Sequence, residues 1–256
     1  MAGGPEGGIY KSEDSGRSWR KLDNGLPRGD VGRIGLAVSP QQPSVVYATI
    51  EAAADERGFY RSADRGESWE KRNGYLSNGT GPHYYQEIYT DPHCFDRVYQ
   101  NDVWLHVTED GGRTFREVEG KTKHSDNHAL AFDPRDPDYL LAGCDGGLYE
   151  SRNRGRTWRY FANLPLTQFY KIALDNAQPF YRIVGGTQDN GTQWGPSRTA
   201  HANGIIPGDW RFILGADGYS CAVDPADPGT VYASWQVGSL VRCDLGNGES
   251  IGIQPQ

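Results

Sequence analysis

The chain has 256 residues, and its 34 glycines, 15 prolines and single methionine favour many short strands joined by tight turns over helices. Its net charge of −7 and the lack of a dense Lys/Arg stripe argue against nucleic acid as a partner. Because no run approaches about 18 apolar residues, the sequence predicts no membrane span. The first residues lack the charged and apolar regions of a signal peptide.

An octet of the form Ser/Thr-x-Asp-x-Gly-x-Ser/Thr-aromatic recurs along the chain. Its copies begin at Ser12, Ser62, Thr108 and Ser151. The Asp is expected to accept hydrogen bonds from turn amides, and the Gly to occupy the corner with positive φ. We therefore predict a structural role for the residues at the third position, which are Asp14, Asp64, Asp110 and Asn153. A degenerate fifth copy is predicted at residues 187–194.

A second element alternates with the octet: an apolar strand, a turn that usually contains Asp-Pro, and another strand. Its copies occupy residues 34–48, 88–99, 129–142, 172–184 and 221–233. Each repeat therefore contains four short strands, as a propeller blade does. The sequence predicts an all-β fold, a β-propeller of four-stranded antiparallel blades with about five and a half blades present.

The predicted blades leave an unmatched half. They span about 1–24 (the half-blade), 30–75, 84–120, 126–165, 168–215 and 217–252 within one propeller domain. A ring normally closes when one terminus completes the blade of the other, but this half-blade has no remaining partner strands. We expect a fragment of a larger propeller, and the alternative is a six-bladed ring with one incomplete blade.

The octet resembles the Asp-box, or bacterial neuraminidase repeat, of sialidase-like and sortilin-like β-propellers. Residues 124–134, 143–147 and 186–191 resemble bacterial Asp-box glycosyl hydrolase-like proteins. The resemblance implies a secreted or envelope-associated bacterial protein, extracellular or periplasmic, that hydrolyses or binds glycans. Sortilin-like and photosystem-assembly propellers imply the alternative, a non-catalytic protein that holds a peptide or protein partner. No cofactor is implied.

Functional residues are expected at the blade ends opposite the Asp-boxes. The loop that enters the first strand and the loop between strands two and three lie together there. The predicted ligand-binding residues are Tyr84, Gln86, His128, Gln168, Tyr170, Gln188, Tyr219 and Trp235. Tyrosine and tryptophan among polar side chains suit a sugar or a peptide, because aromatic faces stack and carboxylates orient hydroxyls.

Two kinds of chemistry are considered at this end. A glycosidase needs two carboxylates that face each other across the scissile bond, and the candidates are Asp126, Asp145, Asp189 and Asp217. Asp145 and Asp217 could instead hold Asp-Gly turns. For a metal, His124, Asp126 and His128 alternate and would share one face of a strand. A hydrogen-bonded polar cluster is the alternative interpretation of these three residues.

Overall fold

The computed structural model describes residues 3–53, 55–75, 87–118, 120–164 and 167–254. In this part of the chain the regular structure is 22 β-strands and two single-turn 3₁₀ helices, Pro207–Asp209 and Gln236–Gly238. No helix formed by these residues is long and apolar enough to cross a membrane. The chain divides into two compact units, Met1–Phe161 and Ala162–Gln256, which we describe separately.

The first unit contains one two-stranded and three four-stranded sheets. Sheet N consists of β1 (Tyr10–Lys11) and β2 (Arg20–Lys21). Sheet A consists of β3 (Ile34–Val38), β4 (Val46–Ile50), β5 (Gly58–Ser62) and β6 (Glu70–Asn73). Sheet B consists of β7 (Glu87–Thr90), β8 (Val98–Asn101), β9 (His106–Thr108) and β10 (Arg116–Glu117). Sheet C consists of β11 (Asn127–Asp133), β12 (Asp136–Cys144), β13 (Gly147–Ser151) and β14 (Arg159–Tyr160).

The second unit contains two more four-stranded sheets. Sheet D consists of β15 (Lys171–Leu174), β16 (Arg182–Thr187), β17 (Gly191–Pro196) and β18 (Arg211–Leu214). Sheet E consists of β19 (Cys221–Val223), β20 (Thr230–Ser234), β21 (Leu240–Asp244) and β22 (Ser250–Gly252). The expected all-β fold with five four-stranded antiparallel sheets and a further half is confirmed in the described residues.

Each four-stranded sheet is an antiparallel meander of consecutive strands. In such a meander, the start of the first strand and the turn between strands two and three lie at one end, which we call the upper end. The turn between strands one and two and the connection between strands three and four lie at the lower end. All four octets connect a sheet's last two strands, at the lower end. The upper end therefore carries the loops in which functional residues are predicted.

The core lies between successive sheets. Ile9 and Leu22, which flank the two strands of sheet N, pack with Ala48 and Tyr60 of sheet A and with Trp69 just before β6. A second cluster joins sheets A and B, and a third joins B and C through Tyr99, Leu130, Leu140 and Tyr149, among others. In the second unit, Ala233, Val241 and Cys243 of sheet E pack with Ile213 and Leu214 of sheet D. Large aromatic side chains thus fill the interfaces, which allows a core with few aliphatic residues.

The predicted fifth octet is wrong. Its residues 187–194 form the hairpin between β16 and β17, at the upper end of sheet D. The connection between strands three and four of this sheet is instead residues 197–210, with a 3₁₀ helix. An Asp-x-Gly sequence favours a tight turn in a two-strand hairpin as well as in an Asp-box. The octet pattern therefore does not distinguish these two connections at residues 187–194.

Candidate functional site

A histidine–aspartate pair lies at the upper end of sheet C. His128 on β11 places Nε2 2.7 Å from Oδ1 of Asp145, which lies in the β12–β13 turn. The Asp145 side chain is only 10% exposed, whereas that of His128 is 44% exposed. The structure therefore brings two of the predicted site residues into direct contact and presents the imidazole to solvent.

The predicted alternation of His124, Asp126 and His128 along one face of a strand is wrong. Strand β11 begins only at Asn127, and Asp126 has a left-handed backbone with φ of 61°. Ser125 donates its hydroxyl to Asp126 Oδ2 at 2.7 Å, and His124 Nδ1 lies 2.9 Å from the Ser125 carbonyl. The period-2 argument fails because two of the three residues precede the strand.

The loop before β11 is fixed to the neighbouring sheet. The backbone N–H of Asp126 donates to the Val103 carbonyl at 2.8 Å. The amide of Asn127 donates to the carbonyls of Asp102 and Val103 at 3.0 and 3.1 Å. Lys123 is buried over the rings of Tyr149 and Trp158 and donates to the His124 carbonyl at 2.8 Å. These bonds hold the residues around His128 in one conformation.

A second polar and aromatic cluster lies at the upper end of sheets D and E, in the second unit. The Tyr170 hydroxyl donates to Gln188 Oε1 at 2.5 Å. The rings of Tyr170 and Tyr219 have centroids 5.7 Å apart and are inclined by 57°. Both side chains are about half exposed, at 45% and 52%. Lys171 Nζ lies 5.3 Å from the centroid of the Tyr219 ring.

Asp217 is held beside these tyrosines by two donors. Its Oδ1 accepts the backbone N–H of Asp189 at 2.8 Å, and its Oδ2 accepts Gln236 Nε2 at 2.6 Å. Asp189 itself has a left-handed φ of 56°. We call the set Tyr170, Lys171, Gln188, Asp217, Tyr219 and Gln236 the tyrosine patch. It unites four of the predicted site residues.

The remaining predicted residues are placed differently. Gln168 is exposed in the segment before β15. Trp235 packs partly against Ala233, Val241 and Cys243 in the core of the second unit. Tyr84 and Gln86 lie outside the described residues.

The Asp-box side chains at the lower end are engaged in their own turns. Asp64 Oδ1 accepts the Ser68 N–H at 2.9 Å and the Ser62 hydroxyl at 2.8 Å, and Oδ2 accepts the Ser68 hydroxyl at 2.5 Å. The indole N–H of Trp69 donates to the Gly66 carbonyl at 3.0 Å, and Gly66 takes φ of 86°.

Hydrogen bonding also shifts the acidity of these groups. The hydroxyl and N–H of Ser68, with the Ser62 hydroxyl, lower the pKa of Asp64 to about 2. Ser18 and Ser12 do the same to the pKa of Asp14. At Asp110, burial opposes the change, but the N–H and hydroxyl of Thr114 lower the pKa to about 2. In the fourth copy Asn153 keeps the geometry and donates Nδ2 to the Thr157 hydroxyl at 2.8 Å.

These four turns, each joining the last two strands of an antiparallel sheet, decide the class of the protein. The chain is an Asp-box β-propeller protein. The resemblance seen in the octets is thereby confirmed, and the four-stranded sheets are its blades.

One family model matches less than half of the chain. The sequence model of the family described as sortilin, neurotensin receptor 3, matches residues 57–173. Among curated proteins, no sequence matches the chain significantly.

Solved structures resemble the chain at low identity. A GH74 xyloglucanase from Xanthomonas campestris is 18% identical over 98% of this chain and 43% of its own, with a TM-score of 0.46. A GH74 enzyme from Niastella koreensis is 15% identical over 97% of this chain and 42% of its own, with a TM-score of 0.49. The structure of YCF48 bound to D1 peptide is 12% identical over 97% of this chain and 75% of its own, with a TM-score of 0.43. The chain thus spans less than half the length of the two GH74 enzymes.

Sequence reasoning overlooked two residues at the upper end of blade B, Trp104 and Gln100. Trp104, in the turn between β8 and β9, is 47% exposed. Gln100 and Asn101, at the end of β8, are buried, and both polar atoms of each side chain have no hydrogen-bond partner in the described part of the chain. The exposed Trp104 could have been found as a tryptophan in the short connection that begins with the polar residue Asp102. The buried amide of Gln100 carries no such signal because Gln100 continues strand β8.

Proposed function

We propose that this protein binds an oligosaccharide at the upper end of blades D and E, through the tyrosine patch. The observation that carries the proposal is the exposed pair of Tyr170 and Tyr219 beside a fixed carboxylate, Asp217. Two inclined aromatic faces offer apolar surface to the C–H faces of sugar rings. Asp217, Gln188 and Gln236 then supply hydrogen-bonding groups for sugar hydroxyls.

The arrangement favours recognition through preorganisation. Asp217 is held from two sides by the backbone of Asp189 and by Gln236, and Tyr170 is oriented by Gln188. Groups that are fixed before binding lose little conformational freedom when the ligand arrives. The polar atoms therefore present one pattern of acceptors and donors, which is how a site selects among sugar stereoisomers.

The test measures binding of the whole chain to cello-, xylo- and chito-oligosaccharides by titration calorimetry. The double substitution Tyr170→Ala and Tyr219→Ala is expected to weaken binding at least about tenfold, the loss of about 1.4 kcal/mol. The matched control is Tyr181→Ala. Tyr181 is 47% exposed but immediately precedes β16 at the lower end of blade D, so its loss should leave the affinity unchanged.

Three results would oppose the proposal. Equal loss in the Tyr181→Ala control would mean that the effect is not local to the tyrosine patch. Unchanged affinity in the double variant would place the ligand elsewhere. Failure to bind any glycan, together with saturable binding of a peptide from a random-sequence library, would favour the peptide-binding function instead.

A further inference from the structure

The fourth Asp-box differs from the other three in charge. Its second and third positions are Arg152 and Asn153, whereas the first and third copies carry Glu-Asp there and the second carries Ala-Asp. Residues 150–159 contain four arginines and one carboxylate. The equivalent segments of the other copies each contain at least two carboxylates and at most three cationic side chains; they are residues 11–20, 61–70 and 107–116. Although the whole chain has a net charge of −7, the lower end of blade C is locally positive.

Two of these arginines share one buried carboxylate. Glu150 on β13 is only 5% exposed, and its Oε1 accepts Nε of Arg159 at 2.6 Å. Its Oε2 accepts the Tyr139 hydroxyl at 3.0 Å and Nη2 of Arg152 at 3.5 Å. Both oxygens of Glu150 are therefore engaged. Because two guanidinium groups share this single carboxylate, it leaves one positive charge uncompensated.

Aromatic rings help to position the two guanidinium groups. Arg152 Cζ lies 5.1 Å from the centroid of the Tyr139 ring, and Arg159 Cζ lies 5.0 Å from that of the Phe161 ring, close enough for cation–π attraction. The two arginine side chains are nevertheless 69% and 67% exposed. Positioned guanidinium donors that face solvent suit an oxyanion, whose oxygens accept their N–H groups in pairs.

The change from Asp to Asn also makes a hydroxyl donor available. In the second box the Ser68 hydroxyl donates to Asp64 Oδ2 at 2.5 Å. In the fourth box Asn153 Nδ2 instead donates to the Thr157 hydroxyl at 2.8 Å, while Asn153 Oδ1 accepts the Thr157 N–H at 2.9 Å. The Thr157 hydroxyl is therefore an acceptor, and its own hydrogen has no acceptor among the residues that the structure describes. A ligand oxygen can accept this hydrogen, because a hydroxyl donates and accepts at the same time.

The two guanidinium groups and the hydroxyl meet at one cavity. It has a volume of about 390 Å³ and opens on the surface of blade C, which is the size of a small-molecule site. Its lining residues are Glu150, Arg152, Thr157, Trp158 and Arg159. The Asp-box substitution thus coincides with a cavity that carries the released hydroxyl and both exposed arginines.

We propose that this cavity binds a phosphate group, either as the free ion or as a monoester carried by a larger ligand. A phosphate monoester has three strong acceptor oxygens and a charge of about −1.5 to −2 at neutral pH. The acceptors match two guanidinium groups and one hydroxyl, and the charge matches the local excess of arginine. The site lies in the first unit and shares no residue with the tyrosine patch, so it is separate from the proposed glycan site.

The test is titration of the whole chain with inorganic phosphate and, separately, with phenyl phosphate. Heteronuclear NMR follows the Nε–H signals of Arg152 and Arg159 and the amide of Thr157, and all three are expected to shift saturably. Chloride at the same ionic strength should not shift them. Tighter binding of phenyl phosphate would assign the site to a monoester, whereas tighter binding of inorganic phosphate would assign it to the free ion.

The decisive variant is Asn153→Asp, which restores the residue of the other three boxes and so keeps the turn. It adds a negative charge beside the cavity and engages the Thr157 hydroxyl, so phosphate affinity should fall at least about tenfold. Arg152→Gln removes one guanidinium group and should weaken binding by roughly the same factor. The matched control is Asn247→Asp, which makes the same change of charge between β21 and β22 of blade E and should leave phosphate affinity unchanged.

Three results would overturn the proposal. The first is the absence of saturable shifts with both phosphate probes, or the same shifts with chloride. The second is unchanged phosphate affinity in the Asn153→Asp variant. The third is an equal loss of affinity in the Asn247→Asp control, which would mean that only the overall charge of the chain matters. None of these results bears on glycan binding at the tyrosine patch, which is measured separately.

Discussion

Asp64 closes its own turn on Ser68, with one carboxylate oxygen on the backbone N–H at 2.9 Å and the other on the hydroxyl at 2.5 Å. Both oxygens of the carboxylate are thereby used within eight residues of sequence. The same contacts recur at Asp14 with Ser18 and at Asp110 with Thr114. A carboxylate so engaged stabilises a connection between two strands and has little capacity left for a ligand at the lower end.

The first prediction concerns acid. The folded-state pKa of Asp14, Asp64 and Asp110 is lowered to about 2 from 3.8, chiefly by hydrogen bonds to the charged form. A lowered pKa stabilises the fold above the unfolded-state value and loses that effect as pH falls through the folded-state value. Unfolding monitored by circular dichroism is therefore expected to show falling stability between pH 4 and about 2.

Substitution of all three aspartates by Asn supplies the control for this acid effect. The fourth Asp-box already carries Asn153 in the same geometry, so the variant retains the turns but removes their titration. Its stability should change less between pH 4 and 2 than that of the parent chain. An identical pH dependence in the two proteins would show that other carboxylates govern acid unfolding.

The second prediction distinguishes the hydrogen-bond acceptors of Asp64 from its negative charge. Asp64→Ala removes the acceptors for Ser62 and Ser68 and should lower Tm by about 2–4 °C, as loss of a capping side chain does in proteins of this size. Asp64→Asn should lower it less, because an amide oxygen can still accept the Ser68 N–H. Calorimetric melting curves give both values. Neither substitution should alter glycan affinity, and a ligand-specific change would contradict the assignment of ligands to the upper end.

The third prediction concerns the buried amide of Gln100. A buried polar group without a partner destabilises the folded state, and replacing it by an apolar group of similar shape relieves that cost. Gln100→Leu is therefore expected to raise the free energy of unfolding by about 1–2 kcal/mol. The matched substitution Asn127→Leu removes two hydrogen bonds to backbone carbonyls and should lower it. Urea titration measures both. Destabilisation by Gln100→Leu would indicate that an ordered polar ligand or water occupies the interface.

The fourth prediction tests whether binding is accompanied by hydrolysis. Asp217→Asn should weaken oligosaccharide binding severalfold, because an amide is a poorer acceptor for sugar hydroxyls than a carboxylate. Binding alone predicts no release of reducing ends from the bound oligosaccharide. Release that is abolished separately by Asp126→Asn and by Asp189→Asn, with binding retained, would instead establish a glycosidase that uses these carboxylates.

The fold was predictable because its signals are local. The octet at residues 62–69 identifies the link between the last two strands of a blade, and the turn before Pro92 identifies the link between the first two. Each signal is set by the φ preference of a Gly or Pro and by an Asp that bonds to nearby amides. Four copies in one chain define the blades without any knowledge of long-range contacts.

The site was predictable only in part, because its contacts join distant positions. The sequence predicted that Tyr170 and Tyr219 lie at the same end of their strands, but it did not predict that their rings lie next to each other. It also treated residues 124–128 as a strand, although the left-handed Asp126 interrupts it. The role of Gln188 as the partner of Tyr170 depends on how two strands pair. Spacing indicates which side of a strand a residue occupies, not which residue lies opposite.

Because every sheet is a meander of consecutive strands, each blade has all of its own strands as soon as its segment of the chain has been synthesised. Blade A can therefore form on the ribosome before blade B emerges, and blade B then packs on a finished surface. Contacts that are local in sequence form quickly and expose unpaired strands only briefly. The order of the sheets in the sequence is thus also the expected order of their assembly during translation.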